Sequence, residues 1–286
     1  LESLHSVRHF LCPGTDDFHR LAYREWNHGV HDRVLMCVHG VTRNSRDFLR
    51  LGDALQDRFR VICPDMAGRG LSDPRVVPPA VPMQANAMDV ASVMTHAHLN
   101  SVNLLGTSMG GIVGMLLASR PHSPIQKLIL NDVGPFIPEI IFSAVSKHEA
   151  VKPKVFATLE EAVSYHRIYC MGFGPMNDEQ WVEFTLNGLK ETDQGWVYDC
   201  HPSLRDGLSQ SVASDVDLWH VWDKIQCPVL VLRGQKSIAL QPETAERMQK
   251  TGPCATVIEI PQTGHAPPLM NEEQIGMVRD FLGTGA

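Results

Sequence analysis

The sequence predicts an α/β fold: a mostly parallel, doubly wound sheet with a helical lobe inserted in its second half. Three observations point there. Short, continuous apolar runs alternate with helix-length segments over most of the chain, the mark of strands buried on both faces and covered by helices. That alternation stops near Pro135 and resumes near Cys227. Finally, Gly106-Thr107-Ser108-Met109-Gly110 lies between an apolar run and a helix-like run, which describes a strand turning sharply into a helix.

The elements follow in order. Val34–Val38 is a buried-type strand, and Asp47–Phe59 carries Phe48, Leu49, Leu51 and Leu55 at helical spacing. Arg60–Pro64 is a second strand that closes into the loop Asp65-Met66-Ala67-Gly68-Arg69-Gly70. Met83–Leu99 is a helix, Val102–Leu105 the strand before the turn, and Ile112–Ser119 the helix after it. Leu128–Asp132 is another buried strand. From about Pro135 to Asp223 the pattern is helical, irregular and rich in aromatic residues, so 136–224 is expected to be a helical cap between two parts of one core, 1–135 and 225–286. Strands at Cys227–Leu232 and Ala255–Ile260 and helices at Pro242–Lys250 and Glu272–Leu282 complete that core.

With 286 residues the chain can bury a sizeable core. A net charge of −7 without a basic stripe argues against nucleic acid and against a polybasic membrane anchor. Seven cysteines are scattered without C-x-x-C spacing, a pattern of reduced thiols rather than a disulfide framework or zinc site. No signal peptide or membrane-length apolar run is read, and the start at Leu1 is taken as processed or trimmed. The expectation is a cytoplasmic protein, monomer or homodimer, acting on a small molecule with an apolar acyl group.

The chemistry centres on Ser108. A strand–turn–helix elbow exposes the hydroxyl at a strained tip, and its small neighbours relieve crowding. A serine hydroxyl needs a base to act as a nucleophile at neutral pH. Among 14 histidines, His265 stands out because it follows a strand on a loop, in Ile260-Pro261-Gln262-Thr263-Gly264-His265, at the sheet edge where sites form. Acyl transfer also needs donors for an oxyanion. The Met109 amide, directly after the serine, and the Val41 amide, in the loop Val38-His39-Gly40-Val41, are the candidates. Arg43 and Asn44 follow that loop, and Arg43 is a candidate substrate contact; Asp65 is expected to shape its own turn. Tyr165, Phe173, Trp181, Trp219 and Trp222 are divided between lobe core and pocket wall, with Trp219 taken as a substrate contact. Phe136 and Ile137 are expected on the pocket wall because they enter the lobe from the sheet edge.

His39-Gly40, Asp65-Met66-Ala67-Gly68-Arg69-Gly70-Leu71-Ser72, Gly106-Thr107-Ser108-Met109-Gly110 and Gly264-His265 together resemble the α/β-hydrolase fold superfamily in order and over nearly the whole chain. Leu130-Asn131-Asp132-Val133-Gly134-Pro135 is similar to a group of capped bacterial hydrolases. The resemblance implies a nucleophile–histidine–acid triad, a cap over the site, and no metal or organic cofactor. One feature departs from it. The acid usually lies just after the strand that ends near Leu232, where this chain has Arg233-Gly234-Gln235-Lys236-Ser237-Ile238, with no carboxylate until Glu243. In some branches, certain dehalogenases among them, the acid comes from the preceding strand end, and here that is Asp132. Asp132 equally suits a purely structural turn cap, and a carboxylate lost at 237 or 238, naturally or by replacement, is the other alternative.

The resulting expectation is a serine hydrolase of a small carboxylic ester or lactone, using Ser108, His265 and Asp132. Two alternatives stand beside it: a carbon–carbon bond hydrolase of a diketone-type substrate, and a catalytically weakened, hydrolase-derived ligand-binding protein.

Overall fold

The computed structural model describes residues 4–14, 17–29, 31–76, 82–141, 154–202, 204 and 214–283. Its first elements are an antiparallel hairpin, β1 (Ser6–Pro13) and β2 (Phe18–Trp26). The sequence pattern does not announce this hairpin, because β1 is an edge strand with nearly every side chain exposed and therefore lacks an apolar run. The core alternation then runs β3 (Val34–Val38), a 3-10 turn at Ser45–Phe48, α1 (Leu49–Leu55), β4 (Arg60–Asp65), α2 (Pro82–His96), β5 (Val102–Thr107), α3 (Met109–Ala118) and β6 (Ile125–Asn131). Short pieces follow: β7 (Phe136–Ile137), β8 (Val155–Phe156), α4 (Leu159–Tyr169), α5 (Asp178–Gly188), β9 (Leu189–Thr192), β10 (Gly195–Tyr198), β11 (Val216–Asp217) and α6 (Trp219–Trp222). The chain ends in β12 (Val229–Gly234), α7 (Pro242–Lys250), β13 (Thr256–Ile260) and α8 (Glu272–Leu282).

The main sheet has eight strands in the order β1-β2-β4-β3-β5-β6-β12-β13. Strands β4 to β13 in that row are parallel, and the β1–β2 hairpin joins antiparallel at β4. The chain steps from β3 outward to β4, then crosses back to β5 on the other side of β3. The loops leaving β3 and β5 therefore part company and open a crevice at the carboxyl ends of the strands. All five β3 side chains are buried, split by alternation between two layers. Met36 and Val38 pack with α2, α3 and α6, while Leu35 and Cys37 pack with α1 and α8. An unbroken apolar run is what a strand covered on both faces requires.

The segment between β6 and β12 is less helical than its sequence predicts. Strands β8, β10 and β9 form a small antiparallel sheet. Its hairpin closes at Thr192-Asp193-Gln194-Gly195, with Gly195 at φ +119°, a conformation that favours glycine, and the Thr192 hydroxyl donating to the Gly195 carbonyl (2.7 Å). The helices start on side-chain caps. Thr158 accepts the Glu161 amide at the head of α4, and Asn177 and Gln180 form a reciprocal capping box on α5. Residues 142–153, 203 and 205–213 of the expected cap lie outside the described residues. Seven free cysteines are present, four of them buried. Among the described residues no helix is long and apolar enough to cross a membrane.

Candidate active site

Ser108 sits between β5 and α3 with φ 52° and ψ −114°, a strained combination for a residue with a side chain. The glycines around it explain how the chain tolerates so tight a turn. A Cβ on Gly106 would lie 2.3 Å from the Gly110 backbone, and one on Gly110 would lie 2.1 Å from the Val38 carbonyl oxygen. Only glycine lets the turn close and the helix press against β3. The Ser108 amide donates to the Asn131 carbonyl (3.0 Å), tying the elbow to the end of β6.

Three side chains form a continuous hydrogen-bonded line. The Ser108 hydroxyl lies 2.9 Å from His265 Nε2, and His265 Nδ1 lies 2.7 Å from Asp132 Oδ2. A carboxylate on the Nδ1 side selects the tautomer that carries its proton there, leaving Nε2 free to accept from the serine. Asp132 is fully buried, a costly position for a charge unless its oxygens are satisfied. They are. The Gly234 amide donates to Oδ1 (2.8 Å), and the Ser237 hydroxyl donates to Oδ2 (2.5 Å). Ser237 in turn accepts the amides of Ala239 (3.1 Å) and Leu240 (3.2 Å). The residue standing where a carboxylate was expected thus serves the carboxylate of the neighbouring strand.

The loop after β3 passes directly over the elbow: a Cβ on Gly40 would be 3.9 Å from the Ser108 Cβ. Among the described residues neither the Val41 nor the Met109 amide donates to another backbone group. Both belong to residues at the serine, and Val41 lines the cavity above it. Two buried side chains fix this loop. His39 donates from Nδ1 to the Gly40 carbonyl (2.7 Å) and accepts the Met66 amide at Nε2 (3.0 Å). Burial pushes its pKa down to about 4, so the ring is neutral as this pairing requires. Arg69, from the loop after β4, donates to the carbonyls of Val41 (2.9 Å) and Ala67 (2.7 Å), and its Nη2 lies 3.8 Å from Met109 Sδ. Burial draws its guanidinium down to about 10. Asp65 accepts the amides of Ser45 (2.7 Å) and Leu71 (3.0 Å), the turn-shaping part expected of it.

A cavity of about 480 Å³ opens above the serine. Its wall combines the β3 loop (Gly40 to Arg43), α4 (His166, Tyr169), the following turn (Cys170, Phe173), α5 (Phe184, Asn187), β10 (Tyr198) and the loop after β12 (Lys236, Ile238, Ala239). Arg43 lines it as expected, yet its charge is already engaged. It donates to both Asp47 oxygens and to the Phe184 carbonyl (3.0 Å), and lies 4.2 Å over the Phe184 ring. Asn44 donates to the Asn187 carbonyl (2.8 Å) rather than facing the cavity.

Three expected substrate contacts are corrected. Phe136, Ile137 and Trp219 do not line the cavity among the described residues. After Asp132 the chain turns away from the crevice, so β7 pairs with β11 and buries Ile137 against the α3 side of the sheet. Trp219, at the start of α6, joins the same core and stacks under Arg247 (3.7 Å). Of the five segment aromatics named from sequence, only Phe173 reaches the cavity. Tyr165 packs on Phe156, Trp181 on Phe184, and Trp222 in the main core. The cavity residues that were missed, notably His166, Tyr198 and Lys236, carry no local motif.

Away from this site, Cys12, His19 and Asp89 bring three ligating atoms within 4.8 Å of one another. Asp89 is already paired with His19 (3.2 Å) and with Arg75. Hydrogen bonding to Asp89 raises the His19 pKa to about 9, so the three side chains form a buried, hydrogen-bonded cluster.

Comparison with known proteins agrees with this architecture. The chain is 35% identical over 285 residues to the 3-hydroxybutyrate-oligomer hydrolase of Cupriavidus necator, covering 96% of both chains. It is 23% identical to the 2-(acetamidomethylene)succinate hydrolase of Mesorhizobium japonicum, covering 81% of each. The crystal structure of an alpha/beta hydrolase from Novosphingobium aromaticivorans superposes with a TM-score of 0.87 at 26% identity, covering 99% of each chain. The family model described as alpha/beta hydrolase fold matches residues 33–271. The chain belongs to the alpha/beta hydrolase fold family and is a hydrolase of that fold.

Proposed function

We propose that this protein is a serine hydrolase of carboxylic esters, with short linear oligoesters of a hydroxy acid as its preferred substrates. The observation that carries the reading is the unbroken line Ser108–His265–Asp132, at 2.9 and 2.7 Å, whose serine and histidine line the cavity. The 35% identity to an oligomer hydrolase of 3-hydroxybutyrate over nearly full length favours the oligoester within the ester class.

In this reading Ser108 Oγ attacks the ester carbonyl as its proton passes to His265 Nε2, and the buried Asp132 carboxylate stabilises the imidazolium. The Val41 and Met109 amides hold the oxyanion, each such donor being worth about 3 kcal/mol in comparable sites. The carbon–oxygen bond breaks, and His265 returns the proton to the leaving alcohol. Water then attacks the acyl-enzyme with His265 as base, releasing the acid and restoring the serine. The residues so assigned supply nucleophile, base, orienting acid and oxyanion donors from the chain itself. The motive for a ligand-binding protein, an absent acid, loses its force because Asp132 is in hydrogen-bond reach of His265.

The test is steady-state turnover of p-nitrophenyl butyrate, a 3-hydroxybutyrate trimer and a diketone of ring-fission type. Ester turnover that disappears in Ser108→Ala is the expected outcome. Turnover of the diketone alone would instead favour the carbon–carbon hydrolase, and no turnover of any of the three would remove the enzyme reading.

A further inference from the structure

The charges on the cavity wall are unevenly matched. Arg43 is neutralised by Asp47. His166 is held between Thr185 (3.0 Å) and the Tyr198 hydroxyl (3.0 Å), and His265 is held by Asp132. Lys236 is different: it lines the cavity, is exposed, and has no carboxylate within ion-pair reach among the described residues. Its backbone is nevertheless well fixed. The Lys236 amide donates to the Thr263 carbonyl (2.8 Å), two residues before the catalytic histidine candidate, and the next residue is Ser237, bound to Asp132. A flexible four-carbon arm ending in a cation therefore swings from a rigid point beside the triad. Around it the rim is apolar, with Ile238 and Tyr169 both exposed at the wall.

We propose that Lys236 receives the free terminal carboxylate of the substrate while the apolar rim carries its ester units. This deepens the ester-hydrolase reading and rests on it. The substrate class is then a short oligoester with an ionised acid end, in preference to neutral esters of the same length. A single cation matched to a single carboxylate at a wet rim gives a moderate, salt-sensitive preference rather than an absolute one.

The experiment compares kcat/KM for a 3-hydroxybutyrate trimer as the free acid and as its methyl ester, within each variant, so that changes in absolute rate cancel. Wild type is expected to favour the free acid by roughly 5- to 10-fold at low salt, the effect residing in KM and shrinking as salt rises. Lys236→Met is expected to bring the ratio to about one, Lys236→Arg to retain it, and Lys236→Glu to invert it. A wild-type ratio near one, or an unchanged ratio in Lys236→Met, overturns the assignment. So does hydrolysis of p-nitrophenyl butyrate without turnover of either trimer, which leaves the ester-hydrolase reading standing. Failure of wild type on p-nitrophenyl butyrate and both trimers defeats the underlying reading as well.

Discussion

Replacing Asp132 by Asn and placing a carboxylate at 237 separates a relocated acid from a lost one. Asn keeps the shape of the side chain and its acceptor for the Gly234 amide, which donates at 2.8 Å. Its NH₂ then faces His265 Nδ1, now 2.7 Å from a carboxylate oxygen. The imidazole is driven to the opposite tautomer, with Nε2–H pointed at Ser108, and the serine loses its base. The expected loss in kcat is about 10⁴-fold, or about 5.5 kcal/mol of activation free energy. Ser237→Asp alone is expected to give no gain. Ser237 Oγ lies 2.5 Å from Asp132 Oδ2, so a second carboxylate would come within about 3 Å of the first. At an effective dielectric of 20 that repulsion is about 5 kcal/mol, enough to keep one proton on the pair at neutral pH. The double variant Asp132→Asn/Ser237→Asp removes the repulsion and is expected to recover a substantial part of the lost rate. The assay is p-nitrophenyl butyrate hydrolysis, with circular dichroism to establish folding. A Ser237→Asp protein at least 100-fold faster than wild type, together with a loss under 10-fold in Asp132→Asn, would refute the relocated acid.

Arg69→Met should lower kcat about 10- to 100-fold with little change in KM, since it frees the Val41 peptide that Arg69 pins at 2.9 Å; an equal rise in KM would contradict a positioning role. Gly110→Ala places a Cβ 2.1 Å from the Val38 carbonyl oxygen and should cost about 3 kcal/mol, a Tm lower by roughly 6 °C or more in a thermal melt. His19 has a folded pKa raised from 6.5 to about 9 through Asp89. Its stabilisation is therefore full below pH 6.5 and is lost as pH rises through about 9, so His19→Gln should flatten the alkaline side of a Tm–pH profile. His39 carries the opposite sign. Its pKa falls from 6.5 to about 4 by burial, so its contribution is present above pH 6.5 and lost as pH drops towards 4, seen as a steepening fall in Tm over that window.

What the sequence made legible was local. Ser108 and His265 sit in short strand–loop motifs whose geometry depends on residues within a few positions, and the helices expected at Pro242–Lys250 and Glu272–Leu282 form over those residues. The cavity wall was not legible, because it is assembled from the β3 loop, α4, α5, β10 and the β12 loop, segments far apart in the sequence. Phe136 and Ile137 show the limit from the other side. Their closeness to Asp132 in sequence suggested a shared site, yet beyond the turn Val133-Gly134-Pro135 they pair with Val216 and Asp217 and pack into the main core. The small β8–β10–β9 sheet escaped notice for a related reason: strands of two to four residues are too short for a period of two to register against the aromatic background.

The acid could not be settled from sequence because its identity is a property of two strands at once. β6 and β12 are parallel neighbours, with Asn131 paired to Leu232, and the Asp132 amide donates to the Leu232 carbonyl (2.8 Å). Residues just beyond the two strand ends therefore occupy adjacent positions along the same sheet edge, and His265 lies in front of both. Asp132 Oδ2 is the carboxylate oxygen that reaches Nδ1, at 2.7 Å. Its support comes from the neighbouring strand. At 132 the carboxylate is completely buried and depends on donors from the β12 loop, which Gly234 and Ser237 supply. A hydroxyl at 237 is thus the complement of a carboxylate at 132, as a lone buried charge would otherwise cost several kcal/mol. By this logic Ser237→Ala, which leaves Asp132 with one fewer donor, should slow turnover by roughly 10-fold or more with little change in KM. A Ser237→Ala enzyme with wild-type kcat would show that the two positions are not coupled.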